Sequence, residues 1–384
     1  MQHRRRGRRT GKWGAVGATG VGALLVGGGF LLATGCGLVG SEGGGDGRPS
    51  TASSKAPDIS CAAQGKVAGS GSTAQENVME YWIEQYERAC APVQIAYNPV
   101  GSGAGVAQFV RGASAFGGSD SPLTQEDAEN TAACAGGRAI NLPMVGGPIA
   151  IGYNVPGVDD LVLDASTLAK IFDSRITTWD DPAIQKLNPG ADLPSLDIQA
   201  VHRADSSGTT QNLQAYLAGA APEVWPYEAD KSWHGKGGHS ADGSSGVAAD
   251  VTSAPGSIGY FELSFAIKQR IDTVRIDTGA PTPLAPSPET ASAGIAATEI
   301  VGRGKDLTLE FDYRTTAEST YPITLITYEL VCDKGNDPKT LPALKSFLSY
   351  TAGDEGQRIL PGIHYAPLPE SVATEVRKVI GELS

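Results

Sequence analysis

Signatures of the common hydrolytic and metal-dependent sites are missing from this chain of 384 residues. No Gly-x-Ser-x-Gly motif occurs, so a nucleophile elbow is unsupported. None of the Gly-Lys pairs is followed by Ser or Thr, which excludes a Walker A loop. The five histidines are scattered without an HExxH motif, and the five cysteines form no CxxC pair. These absences predict a protein that breaks no bond and holds no metal or other cofactor.

Basic residues are in the minority, with 30 Lys and Arg against 42 Asp and Glu. Five arginines and Lys12 open the chain, and an apolar Gly/Ala/Leu stretch follows from Trp13 to Thr34. This order is typical of an export signal, which we expect over residues 1–35. Its removal takes away six basic residues and no acidic ones, leaving 24 against 42 and a net charge of −18. We therefore expect no nucleic-acid partner.

The expected cut falls before Cys36, whose preceding run Leu32-Ala33-Thr34-Gly35 is similar to a bacterial lipobox. A transmembrane anchor and a plain signal are the alternatives, and Arg8-Arg9 is compatible with twin-arginine export. Residues 36–57 are rich in Gly, Ser, Asp and Pro, and such a tether reaches about 25 Å. We therefore expect lipidation of Cys36, which would hold a folded domain at the extracytoplasmic face of a bacterial cell membrane.

Three Gly/Ser-rich clusters are the most informative feature that is present. They read Gly69-Ser70-Gly71-Ser72-Thr73, Gly101-Ser102-Gly103-Ala104-Gly105 and Arg203-Ala204-Asp205-Ser206-Ser207-Gly208-Thr209. Each follows a short apolar run and precedes a segment of helical periodicity. Helix starts leave N–H groups unpaired and carry partial positive charge, while glycine permits close approach and hydroxyls add donors. The clusters therefore predict a cage for a small oxyanion.

Short strands and helices alternate from Lys66 onward. Strands are predicted over 93–97, 139–142, 149–155 and 323–331, and helices over 74–89, 341–350 and 369–383. Such alternation is typical of an α/β fold with a largely parallel sheet. Ligands of these sheets bind beyond the carboxyl ends of the strands, where the three clusters lie.

Four cysteines remain after Cys36, and an even number favours two disulfides in an exported protein. Cys61 precedes the first predicted strand and Cys90 ends the first predicted helix, so both lie opposite the first Gly/Ser cluster. Of the three possible pairings we expect Cys61–Cys90, which leaves Cys134–Cys332. Metal binding by these cysteines is the alternative.

A carboxylate stands beside the predicted cage in the segment Phe116-Gly117-Gly118-Ser119-Asp120. Phosphate keeps one or two O–H groups near neutral pH and sulfate keeps none, so Asp120 accepts a hydrogen bond only from phosphate. Arg203 offers a planar fork for two oxygens, and Asp205 is near enough in sequence to orient it. A turn or cap Asp and a surface ion pair are the alternatives for these residues.

Together these segments resemble the phosphate-binding subunit of the bacterial phosphate-specific ABC transporter, a family of solute-binding proteins. The match runs from about Lys66 to the C-terminus, with further landmarks at 176–184, 187–190 and 256–260. The resemblance implies a two-lobed, periplasmic-binding-protein-like α/β fold with a double-crossover hinge.

The resemblance also implies boundaries and roles. One lobe is expected at 58–145 plus 321–384, and the other at 146–320. Asp205, which does not contact the ligand itself, is expected to orient Arg203 and offset part of its charge. Ala115 stands where the family often has an acidic residue. Residues 235–246 form a longer and more Gly/Ser-rich loop than is usual. The phosphate contacts are expected from Thr73, Ala74, Ser102, Asp120, Arg203, Ser207, Gly208 and Thr209. Toward phosphate, Thr73 is expected to donate through its hydroxyl, and Ala74 through its backbone N–H.

The implied function is capture of inorganic phosphate by a monomer and its delivery to the membrane permease subunits of an ABC importer. An extracellular phosphatase is the first alternative, and an adhesin or signalling lipoprotein that binds phosphate without transport is the second.

Overall fold

A computed structural model describes residues 59–384 of the chain. The predicted export signal, Cys36 and the tether lie outside the described residues. The strands are β1 (Gly65–Gly71), β2 (Val93–Pro99), β3 (Phe116–Ser119), β4 (Ala139–Tyr153), β5 (Val162–Asp164), β6 (Gln199–Arg203), β7 (His239–Ala241), β8 (Ser257–Glu262), β9 (Asp272–Thr273), β10 (Arg275–Asp277), β11 (Glu299–Ile300), β12 (Leu309–Glu310) and β13 (Thr324–Cys332).

Helices pack around these strands, and one 3-10 helix covers Leu360–Ile363. The α-helices are α1 (Glu76–Ala89), α2 (Ser102–Val110), α3 (Gln125–Glu129), α4 (Ala165–Phe172), α5 (Pro182–Leu187), α6 (Gly208–Ala220), α7 (Gly243–Ser253), α8 (Leu263–Gln269), α9 (Pro288–Ala296), α10 (Leu341–Thr351), α11 (Asp354–Arg358) and α12 (Glu370–Gly381). Among residues 59–384 no helix is both long and apolar enough to cross a membrane.

One sheet carries most of the strands, in the order β2-β1-β3-β13-β4-β8-β6-β7, with β9 beside β4. Strands β1, β2 and β3 are mutually parallel, and so are β6, β7 and β8. Between the two groups β13 and β4 run antiparallel to their neighbours. The predicted parallel sheet is therefore correct within each group, while the junction is antiparallel. Because parallel strands end at the same edge, the loops that follow each group lie together.

Strand β4 connects two main hydrophobic cores. Its residues 139–148 pair with β13, and its residues 149–153 pair with β8. The sequence predicted two separate strands here, over 139–142 and 149–155. The pairing with β13 shifts between Thr327 and Tyr328, which leaves Met144 of β4 as an extra residue. The strand nevertheless continues as one buried element of 15 residues.

The first core packs α1, α10 and α12 against the β1–β2–β3 group, and its apolar members include residues of β13. The second core packs α4, α5 and α6 with β5 and β8. Helix α1 shows how the sequence builds these layers, because Val78, Met79, Trp82 and Tyr86 recur at helical spacing and are buried on one face. Trp82 also donates its indole N–H to the carbonyl of Gly356 at 2.9 Å.

Two disulfides fasten the first core. Cys61 bonds to Cys90, and Cys134 bonds to Cys332, with Cα–Cα distances of 5.4 and 5.3 Å. This is the predicted pairing. The first bond ties the segment before β1 to the end of α1, and the second ties the loop after α3 to the end of β13.

Candidate anion-binding site

Each Gly/Ser-rich cluster joins the carboxyl end of a strand to the start of a helix. The cluster at Gly69 joins β1 to α1, the cluster at Gly101 joins β2 to α2, and the cluster at Arg203 joins β6 to α6. Asp120 follows β3 directly. Because β1, β2 and β3 are parallel, their following loops lie at one edge of the sheet, and the loop after β6 meets them there.

Direct contacts join these loops. Asp120 donates its N–H to Ser102 Oγ at 3.2 Å, and Ser102 Oγ lies 3.5 Å from Asp120 Oδ2. Thr209 donates its hydroxyl to the same Oδ2 at 3.0 Å. Gly208 passes so closely that a Cβ there would lie 2.7 Å from Ser102 Oγ and 2.8 Å from Asp120 Cβ. Only glycine fits at that position, because real Cβ atoms do not approach other atoms so closely.

The carboxylate of Asp120 is the most enclosed acidic group of the site, at 3% exposure. Burial raises its pKa, while hydroxyl donors and the charge of Arg203 limit the rise. One of those donors is Thr327 of β13, whose hydroxyl lies 2.9 Å from Oδ1. Hydroxyl donors on both oxygens hold the carboxylate in place as an acceptor for a further O–H group.

Arg203 is also buried, and Asp205 holds its guanidinium. The Nε–H donates to Asp205 Oδ1 at 2.6 Å, and Nη2 donates to Oδ2. Burial alone would raise the pKa of Asp205, but the hydrogen bonds and charge of Arg203 outweigh it and lower that pKa. Only 1% of the Arg203 side chain is exposed. These two hydrogen bonds fit the supporting role expected of Asp205. They leave Nη1 of Arg203 without a contact to Asp205.

Thr73 and Ala74 lie in the turn between β1 and α1. The Thr73 hydroxyl is 3.0 Å from Ser244 Oγ and accepts the N–H of Ser244 at 3.0 Å. Ala74 donates its own N–H to Ser72 Oγ at 3.0 Å, and is fully buried. The Ala74 N–H, which we expected to contact phosphate, therefore has a protein partner in this structure, because the Ser72 side chain folds back over the turn.

Ser207 caps helix α6. Its hydroxyl oxygen accepts the N–H of Thr210 at 3.1 Å, which satisfies one N–H of the first turn. A hydroxyl that accepts one hydrogen bond still has its proton to donate. The cap and a ligand contact by Ser207 are therefore compatible.

Three side chains at this site were not anticipated from the sequence. Asn212 donates its amide to the Asp120 carbonyl at 2.7 Å, Thr327 bonds Asp120 Oδ1, and Ser244 contacts Thr73. Asn212 lies one helical turn after Gly208, so helical spacing could have found it. Thr327 and Ser244 carry no local sequence signal. Thr327 reaches the site through the order of strands in the sheet, and Ser244 through the loop that leads into α7.

The site therefore combines hydroxyl donors, one guanidinium and one acceptor carboxylate in a buried setting. That set of groups suits an oxyanion that still carries a proton. Among residues 59–384, no group of three or more His, Cys, Asp or Glu side chains is arranged to hold a metal ion.

The fold is shared with known binding proteins. A family model described as "PBP superfamily domain" matches residues 56–355. A solved high-affinity periplasmic phosphate-binding protein bound with phosphate aligns with a TM-score of 0.67 at 21% identity, covering 82% of this chain and 93% of that one. A substrate-binding protein assigned to a phosphate ABC transporter of Clostridium perfringens, with bound phosphate, aligns at 0.57 and 20% identity, covering 79% and 100%. The predicted periplasmic-binding-protein-like α/β fold is confirmed.

Two sequence relatives narrow this class. Phosphate-binding protein PstS 2 of Mycobacterium tuberculosis is 39% identical over 371 residues, covering 95% of this chain and 99% of that protein. Phosphate-binding protein PstS 3 of Mycobacterium leprae is 41% identical over 360 residues, covering 93% and 94%. The chain belongs to the PstS family of phosphate-binding proteins.

Proposed function

We propose that this protein binds inorganic phosphate as the solute-binding component of an ABC importer and catalyses no reaction. The observation that carries the proposal is the placement of Asp120, a buried carboxylate held by hydroxyl donors among loops that also carry Arg203. A site made only of donors would accept any tetrahedral oxyanion. One acceptor in its midst favours an anion that brings a proton.

The discrimination follows from hydrogen-bond chemistry. Phosphate donates an O–H to Asp120, which makes a charge-assisted hydrogen bond. Sulfate has no proton to offer, so its oxygen and the carboxylate would face each other as two acceptors without water. The donor side would come from the remaining proposed contacts, namely Thr73, Ala74, Ser102, Arg203, Ser207, Gly208 and Thr209. An N–H contact by Ala74 requires that its hydrogen bond to Ser72 be shared or exchanged.

Closure around the ligand is part of the proposal. We assign one lobe to 58–145 plus 321–384 and the other to 146–320. Thr209 and Asn212 of α6 contact Asp120, so hydrogen bonds already run from the second proposed lobe to the first. A ligand that contacts both lobes stabilises the closed form, because those contacts exist only there.

The protein would deliver its phosphate to a membrane partner and would itself be anchored at the membrane. Membership of the PstS family and the name of the Clostridium perfringens structure support a membrane permease as the partner. We propose a monomer attached by lipid at Cys36 to the extracytoplasmic face of the cell membrane. The lipobox-like run before Cys36 supports the attachment.

Isothermal titration of the full chain with phosphate, and separately with sulfate, tests the binding function. We expect saturable one-to-one binding of phosphate and no comparable binding of sulfate at the same concentrations. Equal affinities would contradict the proposed role of Asp120. Steady hydrolysis of a phosphate ester by the same preparation would favour a phosphatase, and unchanged phosphate uptake after deletion of the gene would favour a lipoprotein outside transport.

A further inference from the structure

Helix α7 begins beside the proposed phosphate contacts, in a segment to which the sequence assigned no role. Its second residue, Ser244, has a fully buried side chain, whereas the next residue, Ser245, is exposed. The helix start is fixed from one side by Gly243, whose N–H donates to Asp205 Oδ1 at 3.1 Å. Gly243 has a φ of +67°, a conformation that favours glycine.

Ser244 lies between Arg203 and Thr73. Arg203 Nη1 donates to Ser244 Oγ at 3.4 Å, and Ser244 Oγ lies 3.0 Å from Thr73 Oγ1. The Ser244 N–H donates to the same Thr73 oxygen at 3.0 Å. Ser244 therefore touches one proposed phosphate contact from each of the two proposed lobes.

The donor and acceptor inventory of these groups limits the directions that the hydrogen bonds can take. A guanidinium can only donate, so Ser244 Oγ accepts from Arg203. Either hydroxyl can donate in the contact between Ser244 Oγ and Thr73 Oγ1. The arrangement that leaves the Thr73 proton for a ligand has Ser244 donating to Thr73 Oγ1, which also accepts the Ser244 N–H. A hydroxyl oxygen has two lone pairs and one proton. In that arrangement both lone pairs of Thr73 Oγ1 are engaged, so Thr73 acts toward a ligand only as a donor.

We propose that Ser244 is a positioning residue of the phosphate site, which orients the Thr73 hydroxyl as a donor and links it to the charge of Arg203. The inference rests on the proposed phosphate binding. Hydrogen bonds in a chain polarise one another, so a chain that begins at a guanidinium strengthens the last donor. When the two proposed lobes close, the hydrogen bonds of Ser244 would connect Arg203 of one lobe to Thr73 of the other.

Calorimetric titration with inorganic phosphate tests this role in the full chain. Ser244→Ala removes the hydroxyl and keeps the backbone N–H, and we expect the phosphate Kd to rise about 3- to 10-fold, the range for one net hydrogen bond. Ser245→Ala is the matched control at the adjacent, exposed serine, and should leave the Kd unchanged. Without phosphate, Ser245→Ala should melt like the unchanged chain, and Ser244→Ala should melt at a lower temperature because it loses buried hydrogen bonds. All titrations are made well below the melting temperature of each chain.

A double-mutant cycle with Thr73→Val separates positioning from general packing. If Ser244 acts through the Thr73 hydroxyl, Ser244→Ala should cost nothing further in the Thr73→Val chain. Additive losses, an unchanged Kd for Ser244→Ala, or a Ser244→Ala chain that does not fold would each overturn the inference. Failure of the unchanged chain to bind phosphate would instead overturn the proposed function, so the two failures are distinguishable.

Discussion

Asp120, directly after β3, and Glu329, on the neighbouring strand β13, are two buried carboxyl groups that differ in what surrounds them. Asp120 directly follows β3 and receives hydroxyl donors from Thr209 and Thr327. Glu329 lies within β13 at 1% exposure, and within residues 59–384 neither of its carboxyl oxygens has a hydrogen-bonding partner. Burial raises the pKa of Glu329 to about 8 despite the neighbouring Gln75 amide, and the charge of Asp120 adds to the shift.

The difference shows how hydroxyl donors offset part of the effect of burial on the pKa of a carboxyl group. Burial disfavours the ionised form of both groups, but each hydroxyl donor stabilises the carboxylate at Asp120. We therefore expect Asp120 to ionise at a lower pH than Glu329, whose pKa burial raises to about 8. An anion site tolerates one neighbouring carboxylate as an acceptor, and a second charge at Glu329 would repel the ligand.

The largest effect is expected from Asp120→Asn, which removes the charged member of this comparison. The amide keeps the shape but loses the charge-assisted hydrogen bond to a protonated ligand. Hydrogen bonds to charged groups are worth about 1.5–3 kcal/mol, so phosphate affinity should fall about 10- to 100-fold. Discrimination against sulfate should narrow in the same calorimetric titrations. Unchanged affinity and selectivity would reject the acceptor role of Asp120.

A smaller effect is expected from Thr327→Val, which removes one donor from Asp120 and makes its surroundings more like those of Glu329. Burial already raises the pKa of Asp120, and loss of this donor should raise it further. Phosphate binding needs the ionised carboxylate. When the pH is lowered, the variant should therefore begin to lose phosphate affinity at a higher pH than the unchanged chain does. Calorimetry across a pH series measures that midpoint.

Thr324→Val is the matched control for that series. Thr324 lies on the same strand, is also buried, and donates its hydroxyl to the Tyr321 carbonyl rather than to Asp120. It should lose some stability but leave the pH midpoint of phosphate binding in place. Equal midpoints for the Thr327 and Thr324 variants would count against the donor argument.

The smallest effect on binding is expected from Glu329→Gln, which should act on stability instead. The pKa of Glu329 rises from 4.5 to about 8 on folding, so the folded state holds the proton more firmly. The stability contributed by this group is therefore fully present below pH 4.5 and is lost as pH rises to about 8. Glutamine mimics the neutral acid and cannot ionise. The melting temperature of the variant, relative to the unchanged chain, should increase between pH 5 and pH 9, and parallel pH profiles would contradict this assignment.

Local sequence rules were sufficient for the parts of the site that are local. The three Gly/Ser-rich clusters and Asp120 each follow a strand. They meet because the clusters consist of small residues that permit close approach. Arg203 and Asp205 are two residues apart and pair as expected. Their role toward phosphate stays a prediction.

The remaining parts depend on which strands are neighbours. Thr327 donates to Asp120 from 207 positions away, because β13 inserts beside β3 in antiparallel orientation. Ser244 contacts Thr73 across 171 positions, through the start of a helix in a Gly/Ser-rich region that carries little hydrophobic periodicity. No pattern within a short window encodes either contact, since the first arises from the order of strands in the sheet and the second from the packing of a distant helix start against the turn after β1.

Strand β4 has a consequence for how the molecule loses its structure. All of its 15 residues are buried, and its two ends belong to different cores. Melting of either core would strip one half of the strand of its hydrogen-bonding neighbours and expose apolar side chains that adjoin the other core. The two cores are therefore expected to unfold cooperatively, in a single transition, although each has its own helices and its own group of parallel strands.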